Sequence, residues 1–302
     1  MTFSVVARDP ETGALGVAVQ SKFVSVGSVV PFAAADAGAI ATQSFANVAY
    51  GPDGLDLLRE GYAADEVIEE LTADDPEAEQ RQIGVVGRDG SVAAFTGEEC
   101  FEHASSRQGE NYTVQGNILE NRETVDAMAD AFESESGGLP EKLLAALFAG
   151  NEAGGDSRGE QSAAMYVVKP EGGYDGKNDR WIDVRVDDHE SPIEELERVF
   201  RIYDVTLLER ESPDEYEALS GETAREVVSV LSDLGFYDGE FESFGERERA
   251  ALEEFRGMNN FENHDLDVLE DAVARGWAEA DGEGEERVVN AIWHGLSRLD
   301  RQ

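Results

Sequence analysis

Cys100 is the only cysteine among 302 residues, so neither a disulfide framework nor a thiolate metal site can be built. Lysine is almost as scarce: Lys22, Lys142, Lys169 and Lys177 are the only four, and arginine carries most of the positive charge. Lys and Arg total 24 against 66 Asp and Glu, a formal net charge of −42. Charge of that sign and size argues against nucleic acid and anionic membranes as partners. No apolar run approaches the length of a membrane span, and no signal-peptide pattern precedes the first predicted strand. The expectation is a soluble, cytoplasmic protein. Walker loops, dinucleotide fingerprints and HExxH are also missing, and no cofactor is expected.

Hydrophobic residues still make up 41% of the chain, enough for a packed core and too many for an acidic disordered protein. The carboxylates are scattered through periodic segments rather than gathered in a tail. A dispersed acidic surface suits a halophilic cytoplasm, where salt screens self-repulsion. The length accommodates one large domain, or a large and a small one.

Period-two patterning predicts paired strands at 3–9 and 14–20 around Asp9-Pro10-Glu11-Thr12-Gly13. Further strands are expected at 38–44, 81–86, 91–96, 112–117, 161–169 and 181–186. Helices are expected at 55–60, 66–71, 123–133, 140–149 and 192–203. This order, with helices to cover both sheet faces, predicts an α+β class. Its architecture would be a four-layer α/β/β/α sandwich with antiparallel sheets, not a doubly wound fold. A boundary near Glu209-Arg210-Glu211-Ser212-Pro213-Asp214 separates domain 1–205 from an all-helical module, 213–302.

Chemistry concentrates near the start. Aminopeptidases remove an initiator Met when the next side chain is small, so Thr2 is a candidate mature N-terminus. A free α-amine beside its own hydroxyl supplies base and nucleophile within one residue. The amine titrates at about pH 7.7–8.0 and needs no histidine to assist it. That is the logic of the N-terminal-nucleophile (Ntn) hydrolases; the simpler reading is a β-branched residue starting a strand. Ser4 shares a strand face with Thr2 and is the fallback nucleophile if Met1 stays. Lys22, at the end of the second strand with Gln20 and Ser21, is a candidate for lowering the hydroxyl's pKa, or else a surface charge. Thr42, Gln43 and Asn47, with Gln115 and Asn117, offer neutral amide and hydroxyl groups for an oxyanion hole or a substrate amide; turn amides are the plainer alternative.

In the run Gly154-Gly155-Asp156-Ser157-Arg158-Gly159-Glu160-Gln161, Asp156 and Arg158 either bind the charged ends of an amino-acid-like substrate or pair to pin the loop. Gln161 completes the candidate substrate-binding set. Asp183, Asp187, Asp188 and His189 are compatible with metal ligation, but their spacing is not diagnostic; a strand end in an acidic protein accounts for them, and no metal is expected.

The segments Thr2–Asp9, Gly16–Lys22, Thr42–Asn47, Tyr50-Gly51-Pro52, Val114–Asn117, Gly154–Ser162 and Val186–His189 resemble the Ntn-hydrolase-like family known as domain of unknown function 1028. The resemblance spans Thr2 to about His189 and implies the Ntn sandwich; it implies no established activity. The tail resembles a small peptidoglycan-binding module through Leu234–Gly239, Phe244–Arg247 and Ala251–Arg256.

The expected function is an amidase-like hydrolase cleaving a C–N bond in a small amide or peptide through Thr2. The alternative is a non-catalytic protein on the same fold that binds a small metabolite or serves in assembly. A homo-oligomer is expected, driven by Phe236, Tyr237, Phe241 and Phe244 of the tail, unless these aromatics fill the module's own core.

Overall fold

Apolar β-branched and small residues dominate Thr2–Arg8 (β1) and Leu15–Ser21 (β2), which pair antiparallel from Phe3 opposite Gln20 to Arg8 opposite Leu15. The turn between them needs Gly13 at φ +73°, and the Asp9 carboxylate caps it by accepting from Glu11 N and Thr12 Oγ1. This hairpin lies at the centre of a computed structural model that describes residues 2–101, 103–174 and 176–301.

The chain continues through Pro31–Ala34 (β3), Gly38–Gln43 (β4), Tyr50–Glu60 (α1), Ala64–Ala73 (α2), Gln82–Gly87 (β5) and Val92–Thr96 (β6). Ser105–Gly109 (β7), Tyr112–Asn117 (β8), Glu123–Ser134 (α3) and Leu139–Glu152 (α4) follow. Ser162–Val168 (β9), Arg180–Val186 (β10) and Pro192–Leu207 (α5) come next. Two antiparallel sheets result, ordered β10-β9-β2-β1-β8-β7 and β3-β4-β5-β6. Two strands had not been expected. β3 is four residues long and β7 is polar, and both lie at a sheet edge, where weak patterning suffices.

Alternation sorts each strand into two faces. Val6, Val17 and Val19 meet Ala39, Ala41 and Val86 between the sheets. On the far side of the four-stranded sheet, Ile40, Ile83 and Val85 pack under Leu55, Leu58 and Val67 of α1 and α2. On the far side of the six-stranded sheet, Leu143 of α4 lies over Gly16, and Gly150 sits between Met128 and Phe3. The order is helix, sheet, sheet, helix.

The chain divides into two compact units at Arg198 and Val199, inside α5 and before the expected boundary near 209–214. The amphipathic pattern of α5 runs on to Leu207, past the predicted end at 203. The second unit adds Gly221–Asp233 (α6), Glu246–Met258 (α7), Leu266–Gly276 (α8) and Gly284–Leu296 (α9). Its core holds Val227, Leu231, Leu252, Phe255, Leu269 and Ile292. Tyr237 is buried in that core, and Phe236, Phe241 and Phe244 pack against it, so these aromatics have an internal use. No helix among the described residues is long and apolar enough to cross a membrane.

Asp204 anchors this unit from within, accepting from Arg210 Nη2 and from Arg301 Nε (2.9 Å), with both Asp204 and Arg210 buried. Burial alone raises the Asp204 pKa, but Arg301 and Arg210 hold it below the usual carboxylate range. Burial pushes the nearby His264 imidazole down, and its Nε2–H donates to Val205 O at 2.7 Å. Both groups bind protons more readily unfolded than folded. Their stabilisation is full at neutral pH and is lost on acidification, His264's from about pH 6.5 downward and Asp204's from about pH 4 downward. In urea titrations followed by far-UV circular dichroism, His264→Gln should lose less stability than wild type between pH 7 and 5. Asp204→Ala removes the buried acceptor shared by Arg210 Nη2 and Arg301 Nε and should cost about 3–5 kcal/mol at pH 7; a cost below about 1 kcal/mol would contradict this account of Asp204.

Candidate functional site

Between the sheets, the apolar core gives way at one end to a layer of amides and hydroxyls. Its members are Thr2 and Ser4 of β1, Gln43 of β4, Gln82 of β5 and Gln115 and Asn117 of β8, all buried. Gln82 organises them. Its Nε2 donates toward Gly116 O (2.9 Å), Thr96 Oγ1 (3.0 Å) and Ser105 O (3.2 Å), so its Oε1 must be the acceptor. That oxygen receives Gln43 Nε2 at 2.8 Å and Asn117 Nδ2 at 3.0 Å. Gln43 Oε1 is thereby turned to accept the Ser4 hydroxyl (2.8 Å), while Gln115 Nε2 donates to Ser4 Oγ (2.6 Å). Gly84 is required here, because a Cβ would lie 2.3 Å from Gln115 Oε1.

The layer opens onto a cavity of about 680 Å³. Thr2, Ser21, Gln43 and Asn117 line its polar side; Phe23, Val26, Val29, Val30, Phe45 and Phe101 line its apolar side. Thr2 is 7% exposed, and its hydroxyl lies 3.0 Å from Ser21 Oγ. Asn117 stands opposite Thr2 in the strand pairing. The relay fixes its Nδ2 on Gln82 and leaves Oδ1 buried with no protein partner. Three non-glycine lining residues hold left-handed backbone: Ser44 (φ 60°), Phe45 (φ 47°) and Ile118 (φ 53°). Such conformations cost energy and persist only where the surroundings enforce them. Arg81 enforces one of them. Its Nη1 holds Phe45 O, while Nε pairs with Asp75 (3.1 Å) and Nη2 with Glu77 (2.8 Å). The Tyr50 hydroxyl and Arg81 together hold the Asp75 carboxyl well below the usual carboxylate range.

The structure thus brings Thr2, Gln43, Asn117 and Arg158 of the predicted set to one cavity. It parts others by a single step of alternation. Gln20 lies beside Phe3, on the face turned to α3 and α4, and its amide has no partner. Thr42 faces the α1 side, where its Oγ1 donates to Asn47 O; Asn47 borders another cavity, beside Tyr50 and Asp53. Ser4 and Gln115 are fully buried in the relay and do not line the cavity, so Ser4 is not open to a substrate. Lys22 follows the inward-facing Ser21 and turns away; its ammonium donates to Glu160 O at 2.8 Å and does not line the cavity.

Gly154 (φ +129°) and Gly155 (φ +57°) shape the loop that carries Asp156. The Asp156 carboxylate accepts from Lys22 N (2.8 Å), Arg158 N (2.9 Å) and Arg158 Nη2 (3.3 Å), so the pair does pin the loop. Arg158 also reaches the cavity. Gln161 donates to Asp188 Oδ1. Among the would-be metal ligands, Asp183 pairs with Arg185 and His189 Nδ1 accepts from Ser191 N.

Sequence reasoning passed over Gln82, Arg81 and the tilted Phe45–Phe101 pair, whose centroids are 5.8 Å apart. The run Gly155-Asp156-Ser157-Arg158-Gly159 also has G-x-S-x-G spacing, but it links a helix to a strand, the reverse of a nucleophile elbow. Only the alternation of Gln82 with Ile83, opposite Gln43 and Thr42, hinted at the relay.

Residues 2–196 match the family described as "Family of unknown function (DUF1028)". The chain belongs to this family. A crystal structure of a DUF1028 protein, SPO2555 from Silicibacter pomeroyi, is similar at 32% identity and a TM-score of 0.62, over 67% of this chain and 86% of that one. Residues 206–293 match "Putative peptidoglycan binding domain". No curated protein matches. Every residue of the cavity lies in the DUF1028 region.

If Gln82 orients the layer, Gln82→Met should remove the acceptor of Asn117 Nδ2, the shorter of the two acceptors of Gln43 Nε2 and the side-chain donor to Gly116 O. The expected loss is about 2–4 kcal/mol in thermal or urea unfolding. A change within about 0.5 kcal/mol of wild type would show that the relay is not what holds these strands.

Proposed function

We propose that the DUF1028 domain is an amidase-like hydrolase that cleaves a C–N bond in a small amide through Thr2, on an Ntn-type sandwich. One observation supports the reading above others. Thr2's hydroxyl is at the wall of a cavity whose described lining has no His, Lys, Asp or Glu, and so no side-chain base. Met1, whose removal the reading requires, lies outside the described residues. Once freed, the Thr2 α-amine supplies the base that the described lining lacks.

The Thr2 Oγ–H bond loses its proton to this amine as Oγ bonds to the amide carbon. The C–N bond breaks, and the proton passes to the departing amine. Water then hydrolyses the resulting ester, releasing a carboxylic acid and restoring Thr2. Asn117 Oδ1, buried and unpartnered, is the acceptor for an N–H of the freed amine or of the substrate amide. Ser21 Oγ, 3.0 Å from Thr2 Oγ1, orients the nucleophile. Lys22 has no part in this scheme.

The same base-free lining supports one other reading. If Met1 is retained, the described lining offers no side-chain general base, and a non-catalytic small-molecule binding protein becomes the better account. Intact-mass measurement of the native protein separates the two. On the hydrolase reading, the mature chain begins at Thr2 and an electrophilic β-lactone adds mass to the Thr2 peptide alone. Against an amide library in molar KCl, Thr2→Ala should lower kcat about a thousandfold or more, while Thr2→Ser keeps partial activity. Activity should rise with pH through an apparent pKa of about 8, the ordinary value of an α-amine. Near-wild-type turnover by Thr2→Ala would end the hydrolase reading.

A further inference from the structure

We propose that this cavity takes a secondary amide with an uncharged aromatic acyl group, its N–H on the Asn117 side of Thr2 and its acyl group on the Phe23–Val30 side. The inference rests on the reading of this cavity as the functional site. It deepens that reading by naming which half of the amide carries the apolar group.

Strand order sets the direction. β1 lies between β2 and β8, so Thr2 has a neighbour on each flank. On the β8 flank Asn117 stands opposite it in the pairing; on the β2 flank its hydroxyl lies 3.0 Å from Ser21 Oγ. Adjacent strands are about 4.8 Å apart, so these positions form a row across the sheet. An amide whose carbonyl carbon lies at Thr2 extends its nitrogen along the row one way and its acyl group the other.

Asn117 decides which end is which. It lines the cavity, its Nδ2 donates to Gln82 Oε1 at 3.0 Å, and its Oδ1 is buried with no protein partner. An acceptor whose orientation is fixed in this way takes an N–H. It rejects an ester or carbonyl oxygen, because two facing lone pairs leave both atoms unsatisfied. The amide nitrogen therefore belongs on the β8 flank, and the acyl group on the β2 flank.

That flank is built for an apolar group. The chain leaving β2 gives the lining Phe23, Val26, Val29 and Val30, none of them charged, whereas the chain leaving β8 gives it Ile118. Hydrogen bonds fix this wall before any ligand arrives. The Ser162 hydroxyl donates to Phe23 O and accepts from Val26 N (3.1 Å), while Ser25, in left-handed backbone at φ 55°, donates its N–H to Asp187 O (2.9 Å). A preformed wall loses little entropy on binding. Phe23 is nonetheless 49% exposed, and an exposed ring in so acidic a chain is costly unless an apolar group covers it. A ligand ring does so, in the stacked or edge-to-face geometry that aromatic pairs favour.

A pair of isomers and a blocked analogue test the orientation. N-methyl-2-phenylacetamide carries its ring on the acyl side, N-benzylacetamide carries it on the amine side, and N,N-dimethyl-2-phenylacetamide has no N–H. Titration calorimetry on full-length Thr2→Ala in molar KCl reads binding without turnover. N-methyl-2-phenylacetamide should bind about tenfold more tightly than either other probe. Adding Phe23→Ala should erase most of the preference between the isomers and leave the melting temperature unchanged, since that ring is half exposed. The inference is overturned if the isomers bind equally or in the reverse order, if the dimethyl amide binds as tightly, if the preference is unchanged in Phe23→Ala, or if none of the probes binds. Selective, Phe23-dependent binding with no release of methylamine by wild type would leave this inference standing and count against the hydrolase reading alone.

Discussion

Gln82 is the residue on which the cavity end of the sandwich depends. An amide buried between two sheets must satisfy every donor and acceptor from inside the protein, because water does not reach it. Gln82 Nε2 is anchored on the carbonyl of Gly116, with further donation toward Ser105 O and Thr96 Oγ1. Its Oε1 therefore has one direction to face, and Gln43 and Asn117 follow from it. An apolar layer here would pack as well and specify less. The relay ties β4, β5, β7 and β8 into a single register, because a slip of one residue would turn the amides out and strand their partners.

Strain at the cavity rim has the same origin. Ser44 and Phe45 adopt left-handed backbone directly after Gln43, which the relay holds in place. Arg81, directly before Gln82, grips the Phe45 carbonyl. The two residues at the start of β5 thus serve opposite ends of one design: Gln82 orients the polar side, and Arg81 bends the chain that carries an aromatic wall. Cys100 adds a minor brace, lying 3.4 Å from both Ser44 Oγ and Arg81 O. Burial raises its thiol pKa, which keeps it protonated and unreactive at neutral pH.

Much of the fold was legible in the residues. The first hairpin and the strands at 112–117 and 162–168 lie within a few residues of where patterning puts them, and the second unit is helical as expected, because each has one face buried and a periodicity that records it. The edge strands β3 and β7 escaped, since an edge asks little of its sequence. At the site, the polar residue types were readable but the face each one takes was read only in part. Ser21 and Gln43 point between the sheets, whereas their neighbours Gln20 and Thr42 point outward. Arg158 and Asp156 allowed substrate binding or loop pinning; the geometry gives Asp156 to the loop and Arg158 to both loop and cavity.

The sequence by itself determined the alternation of apolar and polar side chains, the positions of turns that need glycine, the acidic character of the surface and the division into a mixed unit and a helical one. These are local or compositional properties, encoded over a few residues or summed over all of them. Tertiary structure alone decided that Gln82 is the hub, that Asn117 Oδ1 is left wanting a donor, and that two arginines meet three exposed phenylalanines in an otherwise anionic molecule. The physical reason is sequence separation. The cavity joins Thr2, Gln43, Arg81, Asn117 and Arg158, which no local periodicity relates; only the pairing of β1 with β8 and the stacking of one sheet on the other bring them within reach.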